Sequence, residues 1–320
     1  MRFFYFRAMQ FSITILGCSS AIPTKDRFPT AQVVTYGNQF FLLDCAEGTQ
    51  IQLRKYRFSF QRISRIFISH IHADHFLGLP GLLSTMDLLG RTTPLHIYAP
   101  QQVIGFIEAY KQLVYANFQF PVEYHFIDDK FEGILWEDEQ LEVLAFPVKH
   151  AVPCHGFLFR EKLQERRIKK NAIIDFALNV DQIKMAKNGM DIQLEHGKNI
   201  PNKAITISPP HPRSYAFVTD TAFYPEIVPI IKGVDLLYHE ATFESSFESR
   251  ASQTFHSTAA QAGKIASMAN VKKLIIGHYS VRYDDLNILL QEAEAVFNPT
   301  ELALEGKKIT LEYDSRTENT

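Results

Sequence analysis

The chain has 320 residues, a formal charge of −2, a pI near 6.6 and 46% hydrophobic residues. That is enough to bury a real core as one large domain or two modest ones. The charge excludes a generally basic nucleic-acid binder and leaves any RNA contact to local patches.

The opening MRFFYFRAMQF is apolar, but Arg2 and Arg7 interrupt it and no small-residue cleavage site follows, so it does not read as a signal peptide. Met9 stands just before a clear strand, which makes residues 1–8 a candidate upstream extension with no assigned function. FSITIL alternates apolar and polar residues like a strand. QVVTY and QFFLLD follow as a hairpin around Gly37-Asn38. EGTQIQLRKY reads as a helix, and RIFIS as a short buried strand that stops at Ser69. PQQVIGFIEAYKQLVY opens on proline and carries helical spacing. VEYHFI and LEVLAFPV read as strands, the second leading to His150. SYAFVT runs to Asp220, VDLLYH to His239 and Glu240, and KKLIIG to His278. STAAQAGKIASMAN is a helix opened by Ser257 or His256, and KITLEY is the last strand.

Metal-competent side chains thus recur at strand C-termini: His70, His150, Asp220, His239 with Glu240, and His278. Strand ends on one side of a sheet converge while their loops vary, so a common site is the better reading than chance. The strand–helix alternation gives an α/β or α+β class. The stretch 159–199 breaks the rhythm. It reads as helical and charged, with Arg160, Lys162, Arg166, Arg167, Lys169 and Lys170 against Glu161 and Glu165. It is either a solvated helical insertion or a basic arm that touches a polyanion. No apolar run approaches the roughly 20 residues that span a bilayer. Cys18, Cys45 and Cys154 are odd in number and widely spaced, as expected of buried or free thiols in a reducing compartment, and the expected location is the cytoplasm.

The most informative stretch is ISHIHADHFLGL, which packs His70, His72, Asp74 and His75 into six residues. His70 and His72 can grip one ion from an extended loop, and Asp74 with His75 can face a second. Imidazole and carboxylate suit Zn²⁺, with Mn²⁺ or Fe²⁺ as alternatives. Mixed N/O ligation without cysteine is the donor set of a catalytic site rather than a closed structural one.

H-x-H-x-D-H after a short apolar strand resembles the metallo-β-lactamase superfamily, and SHIHADHFLGLPGLL more narrowly resembles the RNase Z family of tRNA 3′-end endonucleases. The resemblance runs through almost the whole chain. LGCSSAIPTKDRFPTA resembles the family's Pro-x-Lys-x-Arg-Asn loop through Pro23, Lys25 and Arg27, with Phe28 where asparagine is expected. FPVKHAVPCHGFLF, AFVTDTAF, HEATF, HSTAAQAGKIA and GHYSVRY follow in family order, with Thr219 where glycine is usual. The implied fold is an αβ/βα sandwich of two mixed sheets flanked by helices, one domain carrying an inserted arm at 159–199.

The resemblance implies two Zn²⁺ per subunit, one on His70, His72, His150 and Asp220, the other on Asp74, His75, Asp220 and His278, with Asp220 bridging. A hydroxide shared by the ions would attack phosphorus, with Asp74 orienting it or taking its proton. His256 supported by Glu240 would be the general acid, and Ser280 and Arg282 would hold the scissile phosphate. For Arg282 the alternative is a salt bridge, for His256 a helix cap, and for Lys25 and Arg27 an ordinary charged loop. His155 reads as a supporting or surface residue, and His96, His125, His196 and His211 as structural or exposed. Cys18 and Cys45 read as packing residues.

The implied reaction is hydrolysis of precursor tRNA just past the discriminator base, leaving a tRNA 3′-hydroxyl. The arm, with Arg166, Arg167, Lys169 and Lys170 on a basic helical stem, would hold the tRNA body. It lacks the Gly-Pro-rich tip of many bacterial relatives. The family is usually homodimeric. A small-molecule phosphodiesterase or arylsulfatase on the same dinuclear site is the rival reading, but it needs neither arm nor Pro-x-Lys-x-Arg loop. A non-catalytic RNA-binding relative would lack ligands, and here every expected ligand type is present.

Overall fold

The computed structural model describes residues 9–194 and 197–313; residues 1–8 and His196 lie outside them. Contacts divide the chain into two compact units. One comprises the chain up to Trp136, Val143–Phe159 and Ser214–Leu311; the other comprises Glu137–Glu142, Arg160–Arg213 and the residues from Glu312.

The strands in chain order are β1 Phe11–Gly17, β2 Ala31–Tyr36, β3 Gln39–Leu43, β4 Ile63–Phe67, β5 Leu95–Ala99, β6 Val122–Phe126, β7 Gly133–Glu137, β8 Leu141–Val148 and β9 Cys154–Glu161. Four two-residue strands follow, β10 Arg167–Ile168, β11 Ile192–Gln193, β12 Asn199–Ile200 and β13 Thr206–Ile207. The series ends with β14 Ser214–Val218, β15 Leu236–Glu240, β16 Leu274–Gly277, β17 Thr300–Leu302 and β18 Lys308–Thr310. Two seven-stranded sheets result, ordered β18-β1-β2-β3-β4-β5-β6 and β17-β16-β15-β14-β9-β8-β7. Both are mixed. β1, β2 and β3 pair antiparallel, whereas β3 to β6 and β14 to β17 pair parallel.

The sheets meet through aromatic side chains. Phe41 packs on Phe159 and Trp136 with ring centroids 5.6 and 5.4 Å apart, and Phe67 packs on Phe157 and Phe159 at 5.5 and 5.8 Å. The Tyr215 hydroxyl donates to Gln32 Oε1 across the same layer. The other face of the first sheet carries the helices α1 Thr49–Lys55, α2 Ala73–Phe76, α3 Leu79–Leu88 and α4 Gln101–Leu113. Leu53, Leu82, Leu83, Met86, Val103 and Ile107 from these helices close over Leu16, Val33, Leu42, Ile66 and Ile97. FSITIL forms β1 as its alternation predicts, and its polar residues Ser12 and Thr14 are buried along with the apolar ones. The cause is its place in the fold: β1 is paired on both edges, and α1 packs against it.

The second unit has its own small core of Ala172, Leu178, Ala186, Ile192, Ile200 and Ile205. Its helices are α5 Ala172–Asp175, α6 Val180–Lys187 and α7 Asn202–Ile205. Asn179 and Gln182 form a reciprocal capping box on α6. Glu161 and Arg213 form a buried ion pair at 2.6 Å, with the Tyr313 hydroxyl donating to Glu161 at 2.9 Å. The expected basic helical stem is not helical. Arg160 and Glu161 end β9, Arg167 and Ile168 form β10, and the backbone between them bonds outward: Lys162 N–H to the Gln140 carbonyl, Arg166 N–H to that of Lys187, Lys169 N–H to that of Ile205. The run has no apolar stripe at helical spacing to bury, so pairing with other segments satisfies its backbone instead. The remaining helices are α8 Glu248–Gln253, α9 Ala259–Met268 and α10 Asn287–Glu294. The α9 cap is Thr258, in a capping box with Gln261, rather than Ser257 or His256. This frees the His256 side chain for other work.

Candidate metal centre and active site

The side chains gather where strands end. β4 runs out at Phe67, and an extended segment carries Ser69, His70 and His72 to α2, whose first turn holds Asp74 and His75. This loop is laced to the end of β3: Cys45 N–H donates to the His75 carbonyl at 2.7 Å and Gly78 N–H to that of Cys45 at 2.8 Å. A Cβ at Gly78 would stand 2.0 Å from the Ala46 carbonyl oxygen, so only glycine fits this approach. His150 follows β8, Asp220 follows β14, Glu240 ends β15 and His278 follows β16. Asp44, Asp220 and His278 have positive φ values of 53°, 34° and 58°. Such backbone costs about 1–2 kcal/mol per residue outside glycine and collects at functional sites.

Two donor clusters share Asp220. In the first, His72 Nδ1 lies 3.0 Å from His70 Nε2 and 3.1 Å from His150 Nε2, and Asp220 Oδ2 lies 3.6 and 3.8 Å from those two Nε2 atoms. In the second, Asp220 Oδ1 lies 3.2 Å from His75 Nε2 and 3.1 Å from His278 Nε2, with Asp74 Oδ2 at 3.6 and 3.7 Å from the same nitrogens. The two oxygens of one carboxylate thus face one cluster each. The Nε2 atoms of His75 and His278 are buried and take no hydrogen bond, a costly state that a cation would relieve.

Four of these imidazoles are tied through their other nitrogen. His70 Nδ1 contacts Ser69 Oγ at 2.9 Å, His75 Nδ1 contacts Asp44 Oδ2 at 2.7 Å, His278 Nδ1 contacts Thr242 Oγ1 at 3.0 Å and His150 Nδ1 contacts the Phe255 carbonyl at 3.1 Å. Tethering of this kind fixes ring orientation and is the usual companion of a metal-ligating histidine. Asp44, Ser69 and Thr242 are the residues that motif reading missed.

Around His75 the field is negative. Burial would depress the His75 imidazole, yet Asp220, Asp44 and Asp74 outweigh it and raise it well above its ordinary value. Burial likewise opposes ionisation of Asp220, but His278, His75 and His70 hold it well below the carboxylate range. At Asp44, burial pushes the carboxyl up, and His75 and Ser69 offset only part of the rise. In the first cluster burial instead holds His70 well below its ordinary value and lowers His72 and His150, which keeps these imidazoles neutral and able to ligate.

His256 stands between the clusters, its ring centroid 5.3 Å from that of His150 and 5.4 Å from that of His278. Its Nδ1 lies 2.8 Å from Glu240 Oε1. Glu240 is fully buried and also accepts from Thr221 N–H at 2.7 Å and Thr242 Oγ1 at 2.6 Å. Burial would lower the His256 imidazole, but the Glu240 carboxylate outweighs it and lifts it to about 9. The expected pairing is therefore present, with an orienting carboxylate that is itself held in place.

The loop residues are placed less uniformly. Ala21 N–H donates to Asp74 Oδ2 at 2.7 Å, so the segment before Lys25 and Arg27 reaches the second cluster. Lys25 is exposed and Arg27 half-buried. The Phe28 ring packs on Gly48, where a Cβ, at φ 83°, would fall 2.2 Å from it, so position 48 admits only glycine. Ser280 Oγ accepts from Arg282 Nε at 3.2 Å, and the Arg282 guanidinium lies over the Phe247 ring at 4.4 Å and the Phe243 ring at 5.1 Å. No carboxylate among the described residues forms an ion pair with Arg282.

In the second unit Arg166 donates to Thr206 Oγ1 at 2.8 Å, and Lys169 donates to the Lys203 and Ala204 carbonyls, both at 2.9 Å. These two partly serve to hold that unit together, while Arg167 and Lys170 are exposed. His239 is buried, with Nδ1 on the Glu240 carbonyl at 2.7 Å, and joins no donor cluster among the described residues. His155 is buried in β9, His211 is exposed, and Cys18, Cys45 and Cys154 are all buried.

Known structures share this architecture. The short form of human tRNase Z superposes with a TM-score of 0.68 at 26% identity, covering 93% of this chain and 98% of that one. YhfI of Bacillus subtilis, a metallo-beta-lactamase fold protein, superposes with a TM-score of 0.67 at 16% identity, covering 95% of this chain and all of that one. This chain is a metallo-β-lactamase-fold protein with a metal-binding centre. A family model for the anti-Pycsar protein Apyc1 matches residues 11–111, the part that holds β1 to β5 and the histidine loop. Ribonuclease Z of Parabacteroides distasonis is 42% identical over 301 residues, 94% of this chain and 99% of that protein. Ribonuclease Z of Bacteroides fragilis is 44% identical over 302 residues, again 94% and 99%. This chain belongs to the ribonuclease Z family.

Proposed function

We propose that this protein is the endoribonuclease that removes the 3′ trailer from precursor tRNA, with two Zn²⁺ per subunit. The observation that carries the reading is the pair of donor clusters sharing Asp220, in a chain matched to ribonuclease Z sequences over 94% of its length. One ion would be held by His70, His72, His150 and Asp220, the other by Asp74, His75, Asp220 and His278. Cations held there would bring the pKa of water to roughly 7 and would stabilise charge developing on phosphorus.

The chain's own residues supply the rest. Asp74, held at Oδ2 by the Ala21 N–H, is set to orient the attacking water and accept its proton. The water oxygen joins phosphorus, the bond from phosphorus to the tRNA 3′-oxygen breaks, and that oxygen needs a proton. His256 is the donor, kept charged and aimed by Glu240. Arg282, steadied by Ser280, Phe243 and Phe247, is a cation for the scissile phosphate, and Lys25 and Arg27 are further cations for the RNA backbone.

The basic arm, through Arg166, Arg167, Lys169 and Lys170, takes the phosphates of the tRNA body, a contact that a small phosphodiester does not use. A homodimer and a cytoplasmic location follow from the same family reading. No helix of the described residues is long and apolar enough to cross a membrane. The test is removal of residues 163–211. Cleavage of precursor tRNA should collapse while hydrolysis of bis(p-nitrophenyl) phosphate persists. Equal loss on both substrates, in a folded variant, would refute the arm's role.

A further inference from the structure

On the first sheet, three donors meet that the active site does not use. β5 and β6 run parallel with His96 opposite Glu123 and Tyr98 opposite His125. Residues two apart on a strand share a face, so His96, Tyr98, Glu123 and His125 stand together. His96 Nδ1 lies 3.1 Å from His125 Nε2 and 3.2 Å from Glu123 Oε2. One ligand atom from each of the three lies within 4.8 Å of the others.

Two donors bound to one tetrahedral zinc at about 2.0–2.1 Å stand roughly 3.4 Å apart. The separations seen here are close to that, and they repeat those inside the active-site clusters, where His72 Nδ1 is 3.0 and 3.1 Å from its neighbours. His125 is held in place by stacking on Tyr98 at 4.3 Å, and Tyr98 stacks in turn on Phe67 at 4.7 Å. The His96 and Glu123 side chains are 25% and 49% exposed, so an ion can reach them from solvent.

Burial holds both imidazoles below their ordinary values, with the Arg65 guanidinium adding to it at His96 and the His96 ring adding to it at His125, which favours the neutral, ligating form at neutral pH. Arg65 opposes a cation, but its guanidinium is drawn over the Trp136 ring at 4.0 Å, and the Glu123 carboxylate supplies the opposite charge.

We propose that His96, Glu123 and His125 form a further metal site, for a borderline divalent cation such as Zn²⁺, that clips the edge strand β6 to β5. Two imidazoles and a carboxylate leave a fourth position for water. β6 ends the sheet order, and an edge strand has a partner on one side only.

The test compares the full-length wild type with His96→Ala and Glu123→Gln, each stripped by chelator and titrated with Zn²⁺ against a chromophoric competitor. The wild type should bind one equivalent more than His96→Ala. Glu123→Gln, which keeps the side-chain shape, should weaken that extra equivalent at least tenfold. Zn²⁺ should also slow amide hydrogen exchange across residues 122–126 in the wild type and not in the variants. Should His96→Ala fail to fold, Glu123→Gln and the exchange measurement decide. Identical stoichiometry and affinity in the folded proteins, or β6 exchange indifferent to Zn²⁺, would overturn the proposal and leave a hydrogen-bonded cluster without an ion.

Discussion

Asp44 is the residue whose loss discriminates best between a metal centre and a mere cluster of polar side chains. It is fully buried, with Oδ2 2.7 Å from His75 Nδ1 and 3.0 Å from Ser69 Oγ, and Oδ1 2.8 Å from Ser69 N. Asp44→Asn keeps the shape and one acceptor oxygen. That oxygen can serve Ser69 N–H or the imidazole N–H, while the amide NH₂ is left facing the other donor. Removing an oxygen that orients a ligating histidine lowers metal affinity about 10- to 100-fold, or roughly 1.4–2.7 kcal/mol. Chelator-stripped protein titrated with Zn²⁺ should show a loss in this range. kcat/KM on precursor tRNA should fall at limiting metal, and tRNA affinity should hold. A folded variant whose metal affinity stays within twofold of the wild type would refute the view that the Asp44–His75 contact aims Nε2 at a cation.

Asp74→Ala should abolish cleavage and leave tRNA binding largely intact, because it removes chemistry and not the arm; near-normal turnover would sink the assignment. His256→Ala should slow the reaction by about 10²–10⁴, most for substrates with poor leaving groups. A uniform loss across a leaving-group series would instead point to a positioning role.

The fold and the site were legible to different degrees, for physical reasons. His70, His72, Asp74 and His75 declare themselves because their ligand geometry is local, compressed into one loop and one turn of helix. His150, Asp220 and His278 lie far apart in the chain, and they could be tied to that loop because each follows an apolar strand. Asp44, Ser69 and Thr242 carried no such mark. An aspartate at a strand end or a threonine beside a glutamate has many ordinary uses, and only the folded contacts to His75, His70 and His278 separate them. β5, β7 and β9 gave weak signals, since LHIYA, GILWE and CHGFLFRE lack clean alternation. The arm misled for a related reason: strands of two residues leave no periodicity to read, so a basic run looked helical. The α9 cap was readable after all, because Thr258 and Gln261 have the spacing of a capping box.

The central claim is tested most directly by one incubation. The purified protein, with and without chelator, is mixed with a precursor tRNA carrying a 3′ trailer, and the cut is mapped at nucleotide resolution. The account predicts a single cut just past the discriminator base, a tRNA ending in a 3′-hydroxyl, abolition by chelator and recovery with Zn²⁺. An intact precursor alongside rapid hydrolysis of a small phosphodiester, or cleavage indifferent to chelator, would contradict it.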